Sequence, residues 1–399
     1  IMRCLLLQLI SFSLLSCEAF VRLMATKSCM RIYSDKGKPL IVNPKDLDDD
    51  SELIIEEQED VFGKPPGILP TVSSKINFGD ETPKNIQHDL WVVGSGTLGE
   101  LIIKQWKEKY PDAKIIAETA TPKRHPAFLS YGVSPVLRES RNDKSDQTAK
   151  NLVICIPPSA AKYYVDEVSS SVRLWAGPLG GGNLVFTSSI GVYGPSLGNV
   201  ITEDFRVDTR SASSTKLLGA EEAITDRGGN VIRLAGLYTE SRGPHSFWFQ
   251  KQLKEGSLVL DSAADGTINL IHYEDAAAAT IALLEKNELR GQICMAADNE
   301  PITRKEICAS TLASKLYPDN TMPEFAAEHG PVEKVCDCSK TRKILNWKPK
   351  YTSFRVFMRR LGGENVEDVV IEENSEESES ASEDPSSILW LPGDDDDLF

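Results

Sequence analysis

The sequence predicts an α/β fold, a doubly wound parallel sheet covered by helices on both faces and followed by a small C-terminal α+β lobe. Three observations carry this. Six short runs are apolar nearly throughout rather than alternating, the pattern of strands buried on both faces. Several stretches between them repeat apolar residues at helical spacing. Closely spaced glycines stand directly behind the first run.

That first run, Leu90-Trp91-Val92-Val93, enters Gly94-Ser95-Gly96-Thr97-Leu98-Gly99 and then a segment with Leu98, Leu101, Ile102 and Trp106 on one helical face. It reads as strand, tight turn and helix. Glycines there let backbone approach a pyrophosphate at a helix N-terminus, which makes the sheet Rossmann-type and Gly94, Gly96, Thr97, Leu98 and Gly99 candidate cofactor contacts. Further strands follow at 114–117, 133–137, 151–156, 183–187 and 230–234, with helices over 160–174 and 213–225. The body begins near His88, so 88–243 is assigned to the dinucleotide-binding domain. From 244 to 362 the pattern is mixed, with helices predicted over 247–253, 274–284 and 304–316 and short strands at 268–271 and 292–295. This is the smaller, substrate-side lobe.

The flanks differ in composition. Met2-Arg3 and the apolar run 4–15 have the form of a signal peptide over 1–19, with Cys17 and Ala19 before the cleavage site. Phe20 would then lead a basic, hydroxyl-containing segment without acids, which resembles the bipartite presequences of algae with secondary plastids. A plastid location is expected, with the secretory pathway as alternative and a start at Met24 as a third reading. The stretch 20–87 is read as transit peptide and linker, acidic over 46–60 and Pro/Gly-rich over 63–67.

The net charge of −15 sits almost wholly in the tail, where 363–399 holds fourteen Asp and Glu and no Lys or Arg. The remainder is near neutral, so no nucleic-acid surface and, in the mature chain, no membrane span are expected. The tail cannot bury enough apolar surface to order itself, yet it carries Ile388-Leu389-Trp390-Leu391. An inert tail and a docking peptide for a protein partner both stay open. Cysteines lack metal-ligand spacing, no metal is expected, and Cys336-Asp337-Cys338 is read as ordinary thiols in a surface loop.

Separated motifs add to this. Phe186-Thr187-Ser188-Ser189-Ile190-Gly191-Val192-Tyr193-Gly194, Val231-Ile232-Arg233-Leu234-Ala235-Gly236-Leu237-Tyr238, Asn269-Leu270-Ile271-His272-Tyr273-Glu274-Asp275 and the segment 339–351 stand in the order found in the extended short-chain dehydrogenases/reductases. The chain resembles that NAD(P)-dependent epimerase/dehydratase group over roughly 88–361. The resemblance implies NAD or NADP as cofactor, a small-molecule substrate, and a Ser, Tyr and Lys exchanging the proton while nicotinamide exchanges hydride. Ser189 falls on the Ser position, and Tyr193 follows it.

The family's Tyr-x-x-x-Lys pair has no clear counterpart. Aligning Lys216 with the Lys puts Ala212 where Tyr belongs, and aligning through Glu221 puts Ser213 and Leu217 at the two positions. The resemblance is to an atypical member, with binding retained and catalysis open. An oxidoreductase or epimerase-like enzyme and a non-catalytic dinucleotide-binding scaffold or redox reporter are both carried forward. Tyr163, Tyr164, Tyr238 and His272 also lie near the cofactor-side strand ends, where packed structural roles are the commoner case. Arg233 is expected in a buried polar contact.

Cofactor choice turns on the second strand. Glu118 is placed to accept from a ribose 2′-hydroxyl, favouring NAD, whereas Thr119, Thr121, Lys123 and Arg124 suit the 2′-phosphate of NADP.

Overall fold

Apolar runs at 90–93, 152–154 and 184–186 become the centre of a seven-stranded sheet because alternation is absent from them and both faces must be covered. The computed structural model describes residues 22–26, 29–33, 39–42, 85–141, 147–196, 198–298, 300–330 and 334–364. The signal peptide over 1–19, Phe20, the acidic and Pro/Gly linker segments and the tail beyond 364 lie outside the described residues. Arg22–Thr26, Cys29–Tyr33 and Pro39–Val42 form an antiparallel three-stranded sheet, in a unit separate from the body. The sequence predicted no elements there, since runs of four or five residues are too short for a period to register.

In the body, β1 (Ile86–Val93), β2 (Ile115–Thr119), β3 (Ser134–Leu137), β4 (Thr148–Ile154), β5 (Leu184–Ser189), β6 (Asn230–Leu234) and β7 (Ile293–Ala296) lie in the order β7-β6-β5-β4-β1-β2-β3. Every neighbouring pair is parallel. Strand order reverses between β1 and β4, and in such sheets the crevice at the strands' C-terminal ends is the ligand site. Residues 293–296 differ from expectation. Predicted for the smaller lobe, they instead extend the main sheet beside β6, with Val231 opposite Ile293. Cys294, Met295 and Ala296 are fully buried there, a tertiary outcome that a four-residue run cannot announce.

Helices α1 (Thr97–Lys109), α2 (His125–Ser130), α3 (Tyr164–Ser171), α4 (Ala212–Thr225), α5 (Pro244–Glu255), α6 (Tyr273–Leu284), α7 (Arg304–Ala313), α8 (Ser339–Leu345) and α9 (Phe354–Leu361) complete the body. In α1 the buried face is Leu98, Gly99, Ile102, Ile103 and Trp106, close to the predicted stripe. Each fully buried Ile or Leu stabilises the fold by roughly 1.5–3 kcal/mol. A capping box between Thr303 and Glu306 opens α7, which ends at Ala313, before the predicted 316, where Lys315 takes a φ of 62°.

The smaller lobe is held by short pairings. Gly236–Tyr238 pairs in parallel with Leu270–His272, Val259–Ala263 with Glu324–Ala327, and Val200–Ile201 with Val335–Cys336. Its core gathers Tyr238, Phe354, Phe357 and His272, with ring centroids 4.9–5.5 Å apart where they meet. Cys336 lies in a strand and Cys338 is buried against α8, so the pair is not in a surface loop. Among the described residues, no helix is long and apolar enough to cross a membrane.

Candidate functional site

The glycine turn is anchored from two sides. The N–H groups of Gly94 and Ser95 both donate to the Glu118 carbonyl at the end of β2, at 3.1 and 2.8 Å. Gly94 has a φ of +90°, and a Cβ there would lie 2.7 Å from Ile156 Cγ2 and 2.9 Å from the Cys155 backbone. At Gly99 a Cβ would meet the Gly94 carbonyl at 2.8 Å, so these two glycines are demanded by packing alone. Gly96 is different. The nearest protein atom to a Cβ there is 3.9 Å away, so its small size answers nothing in the protein and leaves backbone open to the cleft.

That cleft, about 700 Å3, is lined by the turn with Thr97 and Leu98, by Thr119 to Thr121, Lys123, Arg124 and Arg138 at the ends of β2 and β3, and by Ile156-Pro157-Pro158 after β4. Its other end is lined by Thr187, Ser188, Ser189, Leu217, residues 234–237, Arg242 and Tyr273. Among the described residues, four cations and no carboxylate belong to this lining, in a chain of net charge −15. The N-terminus of α1 adds the positive end of a helix dipole. The arrangement suits a polyanion.

The structure brings Gly94, Gly96, Thr97, Leu98, Lys123, Arg124 and Ser189 to one cleft, and leaves Gly99, Glu118 and Tyr193 outside its lining. Glu118 is fully buried. Trp91 Nε1 donates to its Oε2 at 3.3 Å and Arg141 Nη1 to its Oε1 at 3.2 Å. Burial pushes its carboxyl up, against the opposing pull of Arg141. Tyr193 is also buried, donating its hydroxyl to the Glu203 carbonyl at 3.3 Å, and burial pushes it up to about 12. The expected ribose acceptor and the expected tyrosine are thus both corrected to structural roles, because each finds buried partners before it can reach the cleft.

Ser189 is half-buried at the end of β5. Its Oγ accepts from the Gly191 N–H at 3.0 Å, which leaves the hydroxyl proton free to be donated. On α4, Leu217 reaches the cleft whereas Lys216 is exposed and does not line it. This favours the alignment through Glu221. Glu221 is buried behind the wall, receiving Arg233 Nη2 at 2.7 Å and Ser188 Oγ at 2.5 Å. Tyr164 lines the cleft, but donates to the Ile156 carbonyl at 3.0 Å and is raised by burial. Tyr163 is exposed, and Tyr238 and His272 are buried in the smaller lobe. Burial raises the Cys155 thiol to about 12.

Sequence reasoning passed over Arg138, Arg242 and Tyr273. Arg138 follows the last residue of β3, and a basic residue at a strand's C-terminal end was a usable signal. Arg242 and Tyr273 come to the cleft only through the packing of the smaller lobe.

Low-identity structures share this architecture. A functionally unknown conserved protein from Silicibacter pomeroyi matches with a TM-score of 0.55 at 20% identity, covering 69% of this chain and 98% of its own. dTDP-glucose 4,6-dehydratase from Bacillus anthracis, solved in complex with NAD, gives 0.56 at 18%, covering 69% and 96%. UDP-N-acetylglucosamine 4-epimerase from Bacillus cereus gives 0.54 at 15%, covering 69% and 98%. The chain shares the fold of these three structures. No protein-family model and no curated protein sequence matches the chain. At these identities the likeness shows the fold alone, and chemistry must be argued from the residues.

Proposed function

We propose that the chain binds NAD(P) in this cleft as an oxidoreductase- or epimerase-like protein that works without the usual Tyr-x-x-x-Lys pair. The carrying observation is the turn at the reversal of strand order. Gly94 and Gly99 shape it, and Gly96 keeps backbone open where no protein atom needs the room. The residues fit the cofactor, because open backbone at a helix N-terminus and a lining without carboxylates among the described residues match a pyrophosphate. When bound, the nicotinamide supplies hydride transfer. Ser189 donates its proton toward a substrate oxygen, and the apolar wall of Leu217, Leu234 and Leu237 excludes water. Isothermal titration with NADH and NADPH tests this reading, and no binding of either rejects it.

A second reading rests on Leu217. An apolar side chain holds the cleft position where the family carries Lys, which favours a scaffold or redox reporter that binds the dinucleotide and recruits a partner through its acidic tail. Substrate-dependent change of nicotinamide absorbance, lost in Ser189→Ala, separates the enzyme from the scaffold. Pull-down dependent on 388–399 supports the scaffold. The plastid location is tested by following a fusion of residues 1–45 to a fluorescent protein in an alga with secondary plastids.

A further inference from the structure

The adenosine end of a Rossmann cleft lies where β2 and β3 finish, and there a carboxylate usually accepts from the ribose 2′-hydroxyl. Glu118 holds that place in the sequence but not in space. Its side chain is fully buried and occupied by Trp91 and Arg141, and its carbonyl holds the glycine turn. What faces the cleft instead is Thr119, Thr121, Lys123, Arg124 and Arg138.

We infer that this end of the cleft selects a 2′-phosphorylated dinucleotide, NADP(H) over NAD(H), with Lys123 and Arg138 as its principal contacts and Arg124 beside them. The inference rests on the dinucleotide reading above and deepens it. A ribose hydroxyl needs an acceptor, and among the described residues no carboxylate lines the cleft to provide one. A phosphate dianion needs cations whose charge is not already spent. Lys123 has no ion pair among the described residues. Arg138 meets Glu118 and Glu167 only at 3.8 Å and donates no hydrogen bond among the described residues, with its Nε buried and unpartnered. Arg124 is paired with Glu100 and reaches Thr97 Oγ1 at 3.4 Å. Lys104 shares the same Glu100 at 3.0 Å, so two cations meet one carboxylate and the local balance stays positive. The ordered positions of these cations at the ends of β2 and β3 suit charge-assisted hydrogen bonds to phosphate.

The test is affinity, independent of turnover. The full chain is titrated with NADPH, NADH, adenosine 2′,5′-bisphosphate and 5′-AMP, alongside Lys123→Ala, Arg138→Ala and Lys123→Arg. NADPH is expected to bind about tenfold or more tighter than NADH, and the bisphosphate tighter than 5′-AMP. Lys123→Ala, at an exposed position that does not threaten the fold, is expected to weaken NADPH by about fivefold or more and NADH by less than about twofold, with Lys123→Arg restoring the difference. NADH binding as tightly as NADPH overturns the proposal while leaving the dinucleotide reading intact, and so does a Lys123→Ala loss equal for both. Binding of neither rejects both readings.

Discussion

Arg233 and Glu221 form a buried bidentate pair behind the cleft wall, with Nη2 to Oε2 at 2.7 Å and Nε to Oε1 at 3.1 Å, and both side chains at most 5% exposed. The pair joins β6 to α4, and Ser188 Oγ joins β5 to it. Removing one partner strands the other charge in the interior. Arg233→Ala is therefore expected to cost roughly 3–5 kcal/mol in urea unfolding, and Arg233→Met with Glu221→Leu to recover much of that. A loss under about 1 kcal/mol for the single variant would show that the pair holds nothing together.

Gly94→Ala and Gly99→Ala are expected to destabilise by roughly 2–4 kcal/mol each, the first through its φ of +90° and both through contacts under 3 Å. Thermal unfolding of the two variants checks this, with unchanged midpoints as the contrary outcome.

Tyr193→Phe removes a buried hydrogen bond to the Glu203 carbonyl and nothing from the cleft. It should cost roughly 1 kcal/mol of stability and leave dinucleotide affinity unchanged. A large fall in affinity with normal stability would return Tyr193 to the site.

The two buried histidines should withdraw stability in mild acid. Burial holds His245 and His272 down at about 4, below the ordinary 6.5. Their folded pKa values are depressed, so the stability they contribute is complete above 6.5 and is lost as pH falls toward 4. At pH 5 each histidine accounts for roughly 2 kcal/mol of loss relative to neutral pH. Asp275 acts oppositely. Burial pushes it up to about 6, so it destabilises above that pH and returns roughly 1 kcal/mol as pH falls from 7 to 5. Glu118 and Asp298, also raised by burial, act in the same direction as Asp275. The histidine share is therefore read as the difference in urea midpoints between wild type and His245→Gln from pH 7.5 to 5, with the variant losing less in acid. A difference that does not change with pH would contradict the assignment.

Much of the fold was legible because it depends on local signals. The glycine turn, the face of α1 through Leu98, Ile102 and Trp106, and the buried runs of β4 and β5 each announce themselves within ten residues. The errors about the site came from long-range partners. Glu118 is placed by its position on the second strand, but Arg141 and Trp91 occupy it. Tyr193 was read by its distance from Ser189, but Glu203 receives its hydroxyl. Residues 293–296 were given to the smaller lobe because nothing in four residues states which strand they join. Arg138 and Tyr273 were missed because cleft membership is decided by the ends of strands and helices distant in sequence.

The central claim, that a dinucleotide lies on the glycine turn, is tested most directly by comparing wild type with Gly96→Ala. NADPH fluorescence and thermal unfolding are followed on the same samples. A methyl at position 96 comes no nearer than 3.9 Å to any protein atom beyond its chain neighbours, so the fold should be unaffected while it blocks the backbone that the ligand approaches. The account predicts saturable NADPH binding to the wild type, weakened by about tenfold or more in the variant, with unfolding midpoints equal within a few degrees. No saturable signal in the wild type, or equal affinity in the two proteins, would contradict it.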